Sequence, residues 1–186
     1  MTTTFTNARL VDPETGTEAR GSLTIRDGRI VGRALAPEGE VVDCGGKHLA
    51  PGLVDIGLKI GEPGERHKER CRTAGAAAAA GGGTTRVTRP DTTPAIDTPE
   101  TLDFVTRRAR EVSPVHVHSM AALTKGREGR EMVEVGFLMD AGAVAFTDCD
   151  RVVTDPKVFS RALTYAGSLG ALVMAHPQEP DLSRGA

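Results

Sequence analysis

His116 and His118, spaced i and i+2 in PVHVHSM, are a pair whose type and spacing suit chemistry. On an extended strand both project from one face, where two imidazoles can grip one metal ion. The same pair also suits a packed layer inside a closed sheet, so the spacing leaves both readings open. His176 stands at the end of the strand-like run ALVMAH, and Asp148, Cys149 and Asp150 end AVAFTDCD. A thiolate binds zinc, but a lone cysteine does not make a site. His67, inside the charged run ERHKER, and His48 read as solvated side chains. The GGG at 81 to 83 is a poor phosphate loop, because it follows a helical pattern and the helix C-terminus disfavours an anion.

The elements that must position these groups change character along the chain. Up to Gly46, FTNARLVDP, GSLTIRDGRIVG and EVVDCGG read as short strands, and Asp27-Gly28 forms a hairpin-type turn. From Leu49 onward, apolar strand-like runs alternate with helical patterns. LAPGLVDI, TTRVTRP, PVHVHSM, AVAFTD and ALVMAH are the predicted strands. The predicted helices lie in ERHKERCRTAGAAAAAGG, TLDFVTRRAREV, EGREMVEVGFLMDAG and KVFSRALTYAGSLG. Thr98 before Pro99, and Asp155 before Pro156, are N-cap signals. KGREGRE reads as a solvated loop and helix start.

This alternation predicts parallel βα units of the kind that build a (β/α)8 barrel. A complete barrel takes about 250 residues, so the 186 present suit roughly the first half of one. The expectation is a fragment, or a half-barrel completed by another chain. Residues 1–49 form the β-rich part, and 50–186 carry four βα units and a fifth strand.

Composition narrows the function class. Lys and Arg total 23 against 25 Asp and Glu, a formal charge of −2 that gives no reason to expect nucleic acid or an anionic membrane. The N-terminus has no secretory signal pattern, and no apolar run reaches spanning length. Cys44, Cys71 and Cys149 are odd in number and widely spaced, which argues against a disulfide framework and for a reducing, cytoplasmic setting.

Four stretches then carry a resemblance. PGLVDIGLKIGEPG resembles the class I dihydroorotase pattern PGLVD-x-H-x-H-x-R-E-P-G. GGGTTRVTRPDTTPAIDTPE is similar to that family's GG-x-TTV-x-x-MPNT-x-P-x-x-D-x-PE. ALTKGREGREMVEVGFLMDAGAVAFTD and VMAHPQEPDLSRGA resemble its TKG…AGAVAF-[ST]-DDG and H-x-EDP-x-L-x-x-GA segments. The resemblance implies an α/β fold, a metal-dependent hydrolase (β/α)8 TIM barrel of which the first half is present. It also implies that the N-terminal β region is one portion of a small β-sandwich domain. It further implies cyclisation of N-carbamoyl-aspartate to dihydroorotate in pyrimidine biosynthesis, with zinc-bound hydroxide and a zinc-polarised carbonyl.

The departures fall on the positions that the resemblance assigns to chemistry. Gly57 and Lys59 replace the two metal-binding histidines, and a lysine ammonium brings positive charge where a cation belongs. Cys149 stands where the family has a metal-bridging carboxylate. Gly61 replaces the substrate-binding arginine, and Asp91 replaces the substrate-contacting asparagine of MPNT, a negative charge facing an anionic substrate. His176 is the family ligand that survives in this part of the chain. Lys59 is expected to pair with Asp148, Asp150 or Glu62, or to be carbamylated. The expected function is therefore a non-catalytic, dihydroorotase-like structural protein with no cofactor. The resemblance implies the aspartate transcarbamoylase catalytic subunit as its partner, and a homo-oligomer also fits. The competing reading is an active zinc amidohydrolase with a rearranged ligand set of His116, His118, Cys149 and His176.

Overall fold

The computed structural model describes residues 1–33, 36–179 and 182–183. The chain divides into two compact units, Met1–Gly52 and Leu53–Ala186. In the first, β1 (Thr2–Asp12) runs antiparallel to β2 (Thr17–Arg26) and parallel to β4 (Glu40–Asp43) and β5 (His48–Leu49). β3 (Arg29–Arg33) pairs with the other side of β2. The β2–β3 turn is Asp27-Gly28, whose φ angles of 50° and 76° suit the two-residue hairpin that the sequence predicts. Thr4, Ala8, Leu10 and Thr24 are buried, with the Thr4 and Thr24 hydroxyls 3.2 Å apart.

The second unit holds a parallel sheet in chain order, β6 (Leu53–Leu58), β7 (Gly83–Thr88), β8 (His116–Ala121) and β9 (Ala143–Phe146). The crossovers carry α1 (Cys71–Ala80), α2 (Pro99–Val112) and α3 (Val135–Asp140), and α4 (Pro156–Ser168) follows β9. Sequential parallel strands with helical crossovers are the arrangement of the first half of a (β/α)8 barrel. Ile60, Leu102, Val105, Ala121, Leu123, Val135, Leu138 and Phe146 form the core between sheet and helices.

Local chemistry accounts for the helices that start as predicted. Thr98 accepts a hydrogen bond from the Thr101 amide at 3.4 Å with Pro99 in the first turn, and α2 buries Leu102, Val105 and Ala109. Asp155 accepts from the Lys157 and Val158 amides at 2.8 and 3.4 Å and starts α4. The alanine-rich α1 buries Cys71, Ala74, Gly75 and Ala78 on one stripe. Gly75 lies so close to the end of α2 that an added β-carbon would be 2.5 Å from the Ser113 hydroxyl, so the stripe must stay small.

Three predicted elements are shorter than expected. The helix expected from Glu65 begins only at Cys71, because residues 61–69 close into a turn: the Glu65 amide donates to Gly61 O at 2.6 Å and the Gly61 amide to Glu69 O at 3.1 Å. The helix expected over 128–142 is confined to α3. Its first half is drawn into an antiparallel contact, with Thr124 bridging Met132 and the Val133 amide donating to Leu123 O at 3.1 Å. The fifth strand is one bridge, Val173 beside Phe146, held by two backbone bonds of 2.9 Å.

Candidate functional site at the strand C-termini

In βα barrels the loops following the strands gather at one rim, where function is placed. Here β6 delivers Gly57, Lys59 and Gly61 to that rim. Gly57 is exposed, and a β-carbon built on it would meet nothing within 4 Å. Gly61 is buried, and a β-carbon there would overlap the Glu65 carbonyl and lie 2.8 Å from that of Glu69. The turn over 61–69 thus occupies the space into which a side chain at 61 would grow.

Lys59 does not take any of its expected partners. Its Nζ lies 3.1 Å from Asp91 Oδ2, and the Asp91 side chain is only 2% exposed. Arg89 donates to the same oxygen at 2.9 Å. The parallel register of β7 beside β6 places Arg89 and Asp91 next to Lys59. Asp91 is therefore not a bare negative charge facing a ligand, because two cations neutralise it. Its other oxygen, Oδ1, is buried without a protein partner.

The alternative partners of Lys59 are committed elsewhere. Asp148 accepts from the Leu123 and Thr124 amides at 3.0 and 3.1 Å and from the Thr124 hydroxyl at 2.5 Å. Asp150 pairs with Arg127 at 2.5 Å and approaches Arg89 at 3.8 Å. Burial acts to raise the Asp150 carboxyl, but its own backbone amide and the guanidiniums of Arg127 and Arg89 more than offset this and hold it below the ordinary range. Arg127, predicted to be solvated, is buried and also donates to the Asp148 carbonyl at 3.0 and 3.2 Å.

Glu62 is buried, with its side chain 2% exposed, and its Oε2 accepts from the Cys71 amide at 2.9 Å. Its Oε1 faces Arg66 at 2.9 Å and Arg108 at 3.6 Å. Desolvation acts to raise its pKa, but the hydrogen bonds from Cys71 and the two guanidiniums win and lower it. The carboxylate sits at the N-terminus of α1, where the helix dipole favours negative charge. Burial and the neighbouring Glu62 push the Cys71 thiol up to about 12, so it is not a nucleophile.

Cys149 and His176 reach the rim together. With Gly57, Arg89, Thr147 and Asp150 they line a cleft of about 360 Å³. Cys149 holds a left-handed backbone, φ 60°. Burial and the Asp91 charge raise its thiol, against the pull of Arg89. His176 Nε2 is 3.0 Å from the Gln178 side-chain oxygen. His116 and His118 are exposed at the N-terminal half of β8 and line a different cleft with Gly82, Arg110 and Ser113. That larger cleft lies at the strand N-termini, away from Cys149 and His176. Among the described residues no three His, Cys, Asp or Glu side chains converge as a metal site. The groups at the rim, one thiol, one imidazole and carboxylates already held by Arg and Lys, do not converge among the described residues as the ligand set that a zinc ion needs.

Arg89 and Arg127 are the rim residues that the sequence reasoning missed. For Arg89 a signal was available. It stands at the methionine of MPNT, two residues before the Asn-to-Asp departure at Asp91, so opposite charges enter as a pair.

Comparison with known proteins bears on the family and the fold. Residues 46–186 match the family described as Dihydro-orotase-like. The dihydroorotase of Wolbachia sp. subsp. Drosophila simulans (strain wRi) is 40% identical over 186 residues, covering 97% of this chain and 42% of the relative. The dihydroorotase of Deinococcus radiodurans is 38% identical, covering 100% and 44%. A dihydroorotase-like protein of Pseudomonas putida is 36% identical, covering 100% and 45%. The chain spans less than half the length of these relatives. Among solved structures, an L-hydantoinase (dihydropyrimidinase) from Arthrobacter aurescens has a TM-score of 0.79 at 20% identity, covering 94% of this chain and 40% of that one. A dihydroorotase has a TM-score of 0.62 at 15% identity, covering 96% and 52%. Fold, family match and the motifs along the strand ends agree: the chain belongs to the dihydro-orotase-like family of amidohydrolases.

Proposed function

We propose that this chain is a non-catalytic dihydroorotase-like protein of pyrimidine biosynthesis, acting as a cytoplasmic structural partner of the catalytic subunit of aspartate transcarbamoylase. The observation that carries the reading is the Lys59–Asp91 pair at 3.1 Å, a covalently tethered cation at a position where the family resemblance places a metal ligand. Gly57 supplies no donor, Gly61 leaves no room for a substrate-binding side chain, and the remaining donors do not fit zinc. A fold kept without its reaction serves through its surface, which is why a partner within the same pathway is the natural role. No helix among the described residues is long and apolar enough to cross a membrane.

Two measurements test this. Purified protein assayed for dihydroorotate formation and hydrolysis with added zinc is expected to show no turnover. Stoichiometric zinc together with turnover would overturn the reading in favour of an active amidohydrolase with rearranged ligands. Size-exclusion chromatography with the transcarbamoylase catalytic subunit is expected to show one co-eluting complex at micromolar concentration. Separate elution would sink the partnership.

A further inference from the structure

The ion pairs at the rim form a ladder, and its membership follows the sheet. Lys59 lies just beyond β6, Arg89 and Asp91 just beyond β7, Arg127 in the loop after β8, and Asp150 in the loop after β9. The successive separations are 3.1 Å for Lys59 to Asp91 and 2.9 Å for Asp91 to Arg89. They continue with 3.8 Å for Arg89 to Asp150 and 2.5 Å for Asp150 to Arg127. Charges alternate along the whole length, and every strand of the parallel sheet contributes a member. The loops it joins are long and carry little regular structure of their own, apart from the short 3₁₀ turn at Lys125–Arg127. Arg127 adds a second tie through its bonds to the Asp148 carbonyl, and Arg151 donates to the Arg127 carbonyl at 3.2 Å.

We propose that this ladder is a structural clamp for the rim, holding the four strand-end loops together with fixed side-chain cations in place of a metal ion. A metal cross-links because one centre binds ligands from several strands at once. Alternating guanidinium, ammonium and carboxylate groups achieve the same connectivity pairwise, and need no divalent cation. The clamp is most protected at Asp91, 2% exposed, and at Arg127, 10% exposed, and it is weakest at Asp150, 71% exposed. Salt should therefore loosen it from the Asp150 end first, since screening acts on exposed pairs. The inference rests on the metal-free reading of the rim given above, but not on the transcarbamoylase partnership.

Hydrogen–deuterium exchange across the rim tests it, using the whole protein. Asp150→Asn alters an exposed side chain and is expected to fold. It should speed exchange about threefold to tenfold in the Arg127 loop and around Arg89, segments distant from it in sequence. Arg89→Met should loosen the loops after β6, β7 and β9 together, and Arg89→Lys should restore part of the protection. Exchange in wild-type protein is expected to be indifferent to EDTA. Loosening confined to the mutated loop in both Asp150→Asn and Arg89→Met, or an EDTA-dependent rim in wild type, would overturn the clamp. If Arg89→Met does not fold, the Asp150→Asn pattern alone decides. Failure of the non-catalytic reading would appear as turnover, a separate readout.

Discussion

Gly57 and Gly61 stand on the same strand-to-turn segment, at two positions that the family resemblance assigns to the site. Their surroundings are opposite. Around Gly57 there is open space, whereas Gly61 is enclosed by the Glu65 and Glu69 carbonyls. At Gly57 only a side chain is missing. At Gly61 the backbone closes over the position, through the hydrogen bonds Glu65 N to Gly61 O and Gly61 N to Glu69 O. A missing side chain and missing room for one differ, and only the first can be supplied by one substitution.

The largest effect follows from that enclosure. Gly61→Arg must displace the turn backbone, because a β-carbon overlaps a carbonyl before the rest of the side chain is placed. A loss of about 4 kcal/mol or more is expected, in the range that marks a steric or backbone mechanism. Urea unfolding measures it, and a variant as stable as wild type would break the comparison at its stronger end.

Glu62 supports the same turn from beneath and should give the next largest effect. Glu62→Ala leaves the Cys71 amide and two guanidiniums without their shared acceptor. Removing one partner from such a buried cluster costs about 3 kcal/mol. Its pKa is lowered in the folded protein from 4.5, so its contribution is fully present above that value and fades as pH falls through the lower folded value. Wild type should therefore lose stability in acid more steeply than Glu62→Gln. Equal slopes in pH-dependent unfolding would show that Glu62 is not held ionised by its partners.

Much of this architecture was legible because its determinants are local. Thr98-Pro99 and Asp155-Pro156 mark helix starts through bonds to residues two or three positions on, so sequence proximity sufficed. The start of α1 was not legible, since it depends on the Glu62 carboxylate reaching the Cys71 amide and on a turn closed by Glu69. The same limit applies at the rim. The resemblance identifies Gly57, Lys59 and Gly61 as altered positions, but the partner of Lys59 is decided by how β7 sits beside β6. Asp148 resembles an available carboxylate in sequence, yet the Leu123 and Thr124 amides and the Thr124 hydroxyl engage its oxygens. Arg127 looked solvated within KGREGRE because nothing local reveals the Asp148 carbonyl that it covers.

Lys59 offers a smaller and sharper test. Its side chain is half exposed, and Arg89 still faces Asp91 when the ammonium is removed. Lys59→Met should cost about 1 kcal/mol, the upper end for a pair open to water on one side. Thermal unfolding at low and high salt measures this, with the difference from wild type shrinking as salt rises. A loss comparable with that of Glu62→Ala would mean that Lys59, rather than Arg89, carries the neutralisation of Asp91.

Gly57→His should change stability least, by no more than about 1 kcal/mol and with a stabilising sign allowed, because a strand glycine lacks packing and has excess backbone freedom. The open space at its β-carbon lets the imidazole enter the cleft with Cys149 and His176 without moving backbone. The single change should still fail to recruit cobalt or zinc, since Lys59 keeps its charge beside the new ligand. Gly57→His combined with Lys59→His removes that charge and sets two imidazoles on one strand face, the spacing that grips one ion. Visible absorption on cobalt addition is the readout. Cobalt binding by the double variant but not by the single one identifies the lysine cation as what excludes metal. Binding by neither would move the cause to the surrounding donors, where Arg89 and Arg127 already hold the carboxylates of Asp91 and Asp150.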